Sequence, residues 1–329
     1  MNYTIKQVPG DFRVEEIPSL TGGNRGEYSY FFLEKTGLNT FEAAKAVAGK
    51  LGINVKRIGW AGNKDKDAFT KQMISIRRVK KKTVEKLSLR NIKLTYLGSG
   101  DEEITLGKLA GNKFIITVRN LGSSDCEKIK RNSGLLKENG IPNYYDEQRF
   151  SRSNPETGKL ILEGKFREAA EKIFETTVSA EKLKLLHKSQ LLLYVHSYQS
   201  LLFNKMLGKY IKSSCSNCET LRYSRGEFIF PKNKVENRKL PVIGFGTKLT
   251  GAASELLEEE KITARNFVIR QIPQISSEGT LRDAFVKVND FQLSSPEEDE
   301  LNSGMKKIKL GFALPKGSYA TVVVKALAC

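Results

Sequence analysis

Strand-like segments stand at both ends of this chain, with a long helical stretch between them, and that order constrains the fold most. Residues 11–17 (DFRVEEI) and 28–34 (YSYFFLE) are rich in β-branched and aromatic side chains and read as strands, as do 57–61, 72–77 and 113–119. From Ser179 to about Ile211 the spacing turns helical, and Leu191, Val195, Tyr198, Leu202 and Met206 form one stripe. A mixed segment punctuated by Gly, Pro, Arg and Lys follows, up to about residue 279. Residues 285–288, 308–312 and 321–327 then return to the strand pattern, with a turn over 314–319. This order predicts one sheet domain interrupted by an insertion. It fits the length of 329 residues, which suggests two domains.

Two helices within the first half carry boundary signals. Asn39 stands three residues before Glu42, as in a capping box; Phe41, Ala44, Val47, Ala48 and Leu51 share a face; and Gly52 ends the pattern. Ser124 with Glu127 opens a second helix that ends near Gly140.

Charge narrows the function. The 55 Lys and Arg residues outnumber 37 Asp and Glu, a net charge of +18 spread along the whole chain. Spread basic charge fits a broad phosphate-binding surface better than a tail, although solubility and adaptation to heat also favour charged residues. No run of about 18 apolar residues predicts a membrane span. The N-terminus, MNYTIKQVPGDF, lacks the apolar core of a signal peptide, so the expected location is the cytoplasm. Cys215 and Cys218 form a lone C-x-x-C, and His187 and His196 both fall in an apolar helical region; structural thiols are expected rather than a metal site. No P-loop is present, and Gly98-Ser-Gly100 and Gly244-Phe-Gly246 each lack the third glycine of a dinucleotide site. The pattern suits a protein that handles nucleic acid without metal, nucleotide or redox cofactor. A carboxylate is then the natural reactive group.

One carboxylate stands out. The stretch Gly62-Asn63-Lys64-Asp65-Lys66-Asp67-Ala68-Phe69-Thr70-Lys71-Gln72 packs two aspartates and three lysines between apolar segments. Its Gly62-x-Lys64-Asp65-x-x-Ala68-x-Thr70-x-Gln72 resembles the signature loop of the TruD family of tRNA pseudouridine synthases. Further segments resemble the family's motifs in its order: Lys6-x-x-Pro9-x-Asp11-Phe12-x-Val14-x-Glu16, Lys35-x-Gly37-x-Asn39-Thr40, Gly111-Asn112-x-Phe114, Asn143-Tyr144-Tyr145-x-x-Gln148-Arg149-Phe150, Ser197-Tyr198-Gln199-Ser200-x-Leu202-Phe203-Asn204 and Leu314-Pro315-x-Gly317-Ser318-x-Ala320-Thr321. Asp146 and Ser151 depart from the pattern, standing where the family usually has glycine, and Tyr145 stands where many members have Phe.

The resemblance implies an α+β fold: a mixed, mainly antiparallel pseudouridine-synthase sheet over 1–155 and 280–329, with an inserted, family-specific TRUD domain over 156–279. It implies an isomerase that converts a uridine of tRNA, most often uridine 13 of the D arm, to pseudouridine. The N1–C1′ bond breaks, the uracil turns over, and C5 joins C1′. No cofactor, membrane or obligate protein partner is implied; tRNA is the partner. Asp65 becomes the initiating nucleophile, adding to the base or capturing the sugar carbon, and Lys6 becomes its basic neighbour, since a cation favours the charged carboxylate. Lys64 and Lys66 adjoin Asp65 but need not point at it. The target base must leave the stack, and Tyr145 is expected to stack on it, with a proton-accepting hydroxyl as the alternative. Asn143 and Gln72 are expected either to hydrogen-bond the base or to brace the loop.

Two other classes of function fit the sequence. One is an RNA-binding or chaperone protein on the same fold; the other is a base-flipping methyltransferase that would need S-adenosylmethionine. The intact Asp65 loop argues against the first, and a dialysed enzyme that works without additives would exclude the second.

Overall fold

The computed structural model describes residues 2–151 and 153–329. The first part runs β1 (Phe12–Pro18), β2 (Tyr28–Lys35), α1 (Thr40–Leu51), β3 (Ile58–Trp60), β4 (Phe69–Arg77), α2 (Lys81–Val84), β5 (Ile92–Gly100), β6 (Leu109–Leu121) and α3 (Ser123–Asn139). The middle runs β7 (Ile141–Pro142), α4 (Asn154–Leu162), α5 (Phe166–Phe174), α6 (Lys188–Ser214), β8 (Cys218–Tyr223), β9 (Gly226–Pro231), β10 (Lys239–Val242), α7 (Ala252–Glu259), β11 (Thr280–Asp283) and β12 (Phe285–Val286). The chain closes with β13 (Asn289–Leu293), β14 (Glu297–Glu298), β15 (Lys306–Pro315) and α8 (Ala320–Ala328).

A nine-stranded sheet follows the order β13-β15-β6-β1-β4-β2-β5, with β14 on β15 and β3 on β4. Among the described residues only β1 and β4 pair in parallel, so the sheet is mixed and mainly antiparallel and the fold is α+β. Strands from both ends of the chain do meet in it: β15 pairs with β6, Phe312 facing Phe114. At that junction Gly111 is obligatory, since a Cβ there would lie 2.3 Å from the Leu314 carbonyl oxygen.

Two compact units emerge. One comprises the residues up to Ser133 with Val288–Ala320 and Ala328; the other comprises Gly134–Lys287, Thr321–Leu327 and Cys329. In the first, Phe31, Leu33, Ile74 and Ile76 of the sheet meet Ala43, Ala44, Val47 and Ala48 of α1. In the second, the expected stripe on α6 (Leu191, Val195, Tyr198, Leu202, Met206) is buried throughout. No helix among the described residues is long and apolar enough to cross a membrane.

The caps of α1 follow the sequence signals. Asn39 Oδ1 accepts the Glu42 N–H at 2.8 Å, Glu42 accepts the Asn39 N–H at 2.8 Å, and Gly52 ends the helix at φ 65°. Phe41, however, is 53% exposed and touches Trp60 edge-on; Ala43 takes the inward place, and small side chains let the helix lie close on the sheet. The segment 321–327 is helix, not strand. Its run of valines favours a strand locally, but almost every position from Ala320 to Cys329 is apolar, and such a run has no readable period. Burial of Ala320, Val322, Val323, Val324 and Leu327 outweighs the few tenths of a kcal/mol by which each valine disfavours a helix.

Candidate active site

Asp65 lies on the connection between β3 and β4. That connection has few regular backbone partners, and buried polar side chains take their place. The Lys64 N–H donates to Thr40 Oγ1 at 2.8 Å, the Thr40 hydroxyl donates to Gln72 Oε1 at 2.9 Å, and Gln72 Nε2 donates to the Gly62 carbonyl at 3.1 Å. Thr40 and Gln72 have no exposed surface. Lys35, from the end of β2, donates to the carbonyls of Leu38 at 2.6 Å and Asp65 at 2.9 Å. Trp60 Nε1 donates to Asn63 Oδ1 at 3.1 Å.

The side chains of the loop divide. Lys64 turns inward: its ammonium lies 2.9 Å from Glu16, whose other oxygen accepts the Met73 N–H. Lys66 and Asp67 are exposed. Asp65 alone meets an outside cation, with Oδ2 2.6 Å from Lys6 Nζ, while its side chain stays 47% exposed and that of Lys6 20%. The Lys6 ammonium also lies 4.4 Å from the centroid of the Phe12 ring. Lys6 adopts φ 62°, a left-handed backbone that a lysine enters at a cost, so the surrounding chain must impose it.

The segment carrying Lys6 is held on both sides. Thr4 exchanges two backbone hydrogen bonds with Arg119. Asp11 accepts the Val8 N–H and both its oxygens lie 3.0 Å from Arg119 Nε. Arg119 also reaches Asp299 at 2.6 Å and Glu300 at 3.0 Å. Burial pushes the Asp299 carboxyl up, but hydrogen bonds from the Asn120 and Leu301 N–H groups, Asn302 and Arg119 outweigh it and bring it down to about 2.

In the second unit, Tyr145 is part-exposed and its neighbour Tyr144 is buried. Asn204 grips the Tyr145 backbone from α6: its Oδ1 accepts the Tyr145 N–H at 2.9 Å and its Nδ2 donates to the Tyr145 carbonyl at 2.8 Å. The Phe203 ring stands edge-on to Tyr145, and the Arg282 guanidinium lies 4.2 Å from the centre of the Tyr145 ring. Arg282 also donates to the Asn143 side chain at 2.6 Å and to its carbonyl at 3.0 Å, while Asn143 Nδ2 donates to the Asp283 carbonyl. Ser197 donates to the Arg149 carbonyl, and Arg149 donates to Ser200. The motif on α6 thus serves to fix the segment 143–150.

The two departures from glycine cost no backbone strain here. Asp146 has φ −90° and Ser151 φ −50°, both open to any L residue. Asp146 also gains partners: it accepts from the Thr321 hydroxyl and pairs with Lys325, both in its own unit.

The structure therefore brings Asp65 and Lys6 together and braces their loop with Gln72. Both ends of the Gln72 amide are engaged with the protein, and the Asn143 amide is likewise spent on backbone and on Arg282. Lys35, Thr40 and Asn204 carry work that the sequence motifs do not assign to them. One signal was available: Lys35 continues the inward alternation Phe31, Leu33 along β2, which marks a lysine aimed into the core.

The family tRNA pseudouridine synthase D (TruD) matches residues 1–188 and 180–327. A protein of Methanosarcina acetivorans named "Probable tRNA pseudouridine synthase D" is 31% identical, with 98% of this chain and 91% of that one covered. The tRNA pseudouridine synthase D of Aquifex aeolicus is 27% identical, with 100% and 99% covered. A TruD crystal structure from Methanosarcina mazei superposes with a TM-score of 0.74 over 98% of this chain and 93% of that one, at 27% identity. This chain belongs to the TruD family of tRNA pseudouridine synthases, which are isomerases.

Proposed function

We propose that the chain isomerises uridine 13 in the D arm of tRNA, with Asp65 as the nucleophile and the target base turned out of the stack. The reading rests chiefly on the Lys6–Asp65 pair: a half-exposed carboxylate, 2.6 Å from a lysine, on a loop whose backbone is fixed by buried side chains. Such a group is accessible to a substrate and needs little reorganisation to reach it. The reaction breaks N1–C1′ and forms C5–C1′; C5 gives up a proton and N1 gains one. Lys6 holds the carboxylate in place and balances its charge. Tyr145 offers a ring face for the extruded uracil, while Asn143 and Gln72 brace the two segments. The net charge of +18 supplies attraction to phosphate, which offsets the cost of unstacking the base, roughly a few kcal/mol. We read residues 1–155 and 280–329 as the catalytic domain, 156–279 as the inserted one, and the cytoplasm as the site of action.

Release of tritium from tRNA carrying 5-tritiated uridine tests this reading. Asp65→Asn should bind tRNA and lose turnover, and a tRNA with cytidine at position 13 should release nothing. An Asp65→Asn enzyme that keeps a tenth of the normal rate removes Asp65 from the nucleophile's role.

A further inference from the structure

Lys35 ends β2 on the strand face that carries Phe31 and Leu33, and its residue surface is 1% exposed. Its ammonium donates to three backbone carbonyls, those of Leu38 at 2.6 Å, Asp65 at 2.9 Å and, more distantly, Lys64 at 3.4 Å. No carboxylate lies within ion-pair distance of it among the described residues. A buried ammonium is costly unless its donors are met. Burial presses its pKa down to about 8; the Asp65 charge opposes this, Lys64 adds to it, and Glu42 opposes it more weakly. Methionine would fill the same space with neither burden, so the charge has a use beyond packing.

The use lies in where the donors point. Thr40 and Gln72 hold the loop at Lys64 and Gly62, whereas Lys35 holds the carbonyl of Asp65 itself. Its bond to Leu38 ties that carbonyl to the connection between β2 and α1. We propose that Lys35 is a positioning residue for the reaction, whose ammonium fixes the peptide of Asp65 and thereby the direction of its carboxylate. This rests on the reading of Asp65 as the reacting group. A misplacement of about 1 Å at such a group costs on the order of a hundredfold in rate.

Lys35→Met removes the charge and keeps the length. We expect its single-turnover rate of tritium release to fall about tenfold to a hundredfold, with tRNA affinity within about threefold of the parent. If the Met variant does not fold, as judged by circular dichroism, Lys35→Gln carries the same two measurements with a polar side chain too short to reach the loop. A folded variant within threefold of the parent rate overturns the proposal. So does a loss of tRNA affinity as large as the loss of rate, which marks a general structural role. The Asp65→Asn enzyme separates the two failures: if it is active, the nucleophile reading falls; if it is inactive while the Lys35 variant is fast, only the positioning role falls.

Discussion

Two carboxylate–cation contacts flank the same short N-terminal segment, and they are built in opposite ways. Lys6 meets Asp65 at a single oxygen, with the carboxylate half in solvent. Arg119 meets Asp11, Asp299 and Glu300, and its side chain and those of the two aspartates are almost entirely buried. An exposed pair contributes about 0–1 kcal/mol to stability. A buried cluster offers little net gain over apolar packing, yet losing its one cation strands the carboxylates without a counter-charge. The exposed contact is therefore cheap to break, as a reacting group must be, and the buried one holds rigid the chain that delivers Lys6. Lys35 is a third arrangement, a buried cation on neutral carbonyls.

This contrast can be broken by mutation. The largest effect on stability should come from Arg119→Met, which leaves Asp11 and Asp299 buried and unpaired; urea unfolding should show a loss of about 3–5 kcal/mol. A loss below about 1 kcal/mol would place Arg119 in the same class as Lys6. Lys6→Met should do the reverse, with stability within about 1 kcal/mol and tritium release down by about tenfold or more. Unfolding and activity assays on that one variant decide it.

The third cation predicts a pH dependence. Lys35 has a folded-state value of about 8 against 10.5 for an ordinary lysine, lowered chiefly by burial. Between these values the unfolded chain keeps a proton that the folded chain has released, so this site's contribution to stability rises with pH from about 8 to 10.5. Urea midpoints of the parent should gain on those of Lys35→Met as pH rises from about 7.5 to 9.5. A constant difference would mean that Lys35 stays charged. The smallest effect is expected from Tyr145→Phe, which keeps the ring that contacts Phe203 and Arg282. Tyr145→Phe should keep the rate within about threefold, and Tyr145→Leu should lose about tenfold to a hundredfold. A Phe variant as slow as the Leu variant would show that the hydroxyl takes part.

Much of the sheet was legible because its strands alternate or carry β-branched runs; β1, β2, β3, β4, β6 and β15 all fall where the pattern places them. The caps of α1 were legible because Asn39, Glu42 and Gly52 act locally. The helix over 320–328 was not, because a short run that is apolar throughout has no period, and only its surroundings choose between strand and helix. The Lys6–Asp65 contact became legible through the motif, not through spacing, since 59 residues separate the two. The bracing role of Lys35 stayed hidden because a motif marks which residues recur, not what they touch.

The pairing of β6 with β15 also sets an order in time. On the ribosome β6 emerges with β1, but its other partner is made only after Gly134–Lys287, the greater part of the second unit, has been translated. Until then β6 is an unpaired edge, with Phe114, Ile116 and Val118 on a strand that has open hydrogen-bonding groups along one side. Such an edge invites pairing with other chains, and closing the sheet across so long a separation is slow. The join that completes the sheet is thus the stage at which the nascent chain is most exposed to aggregation.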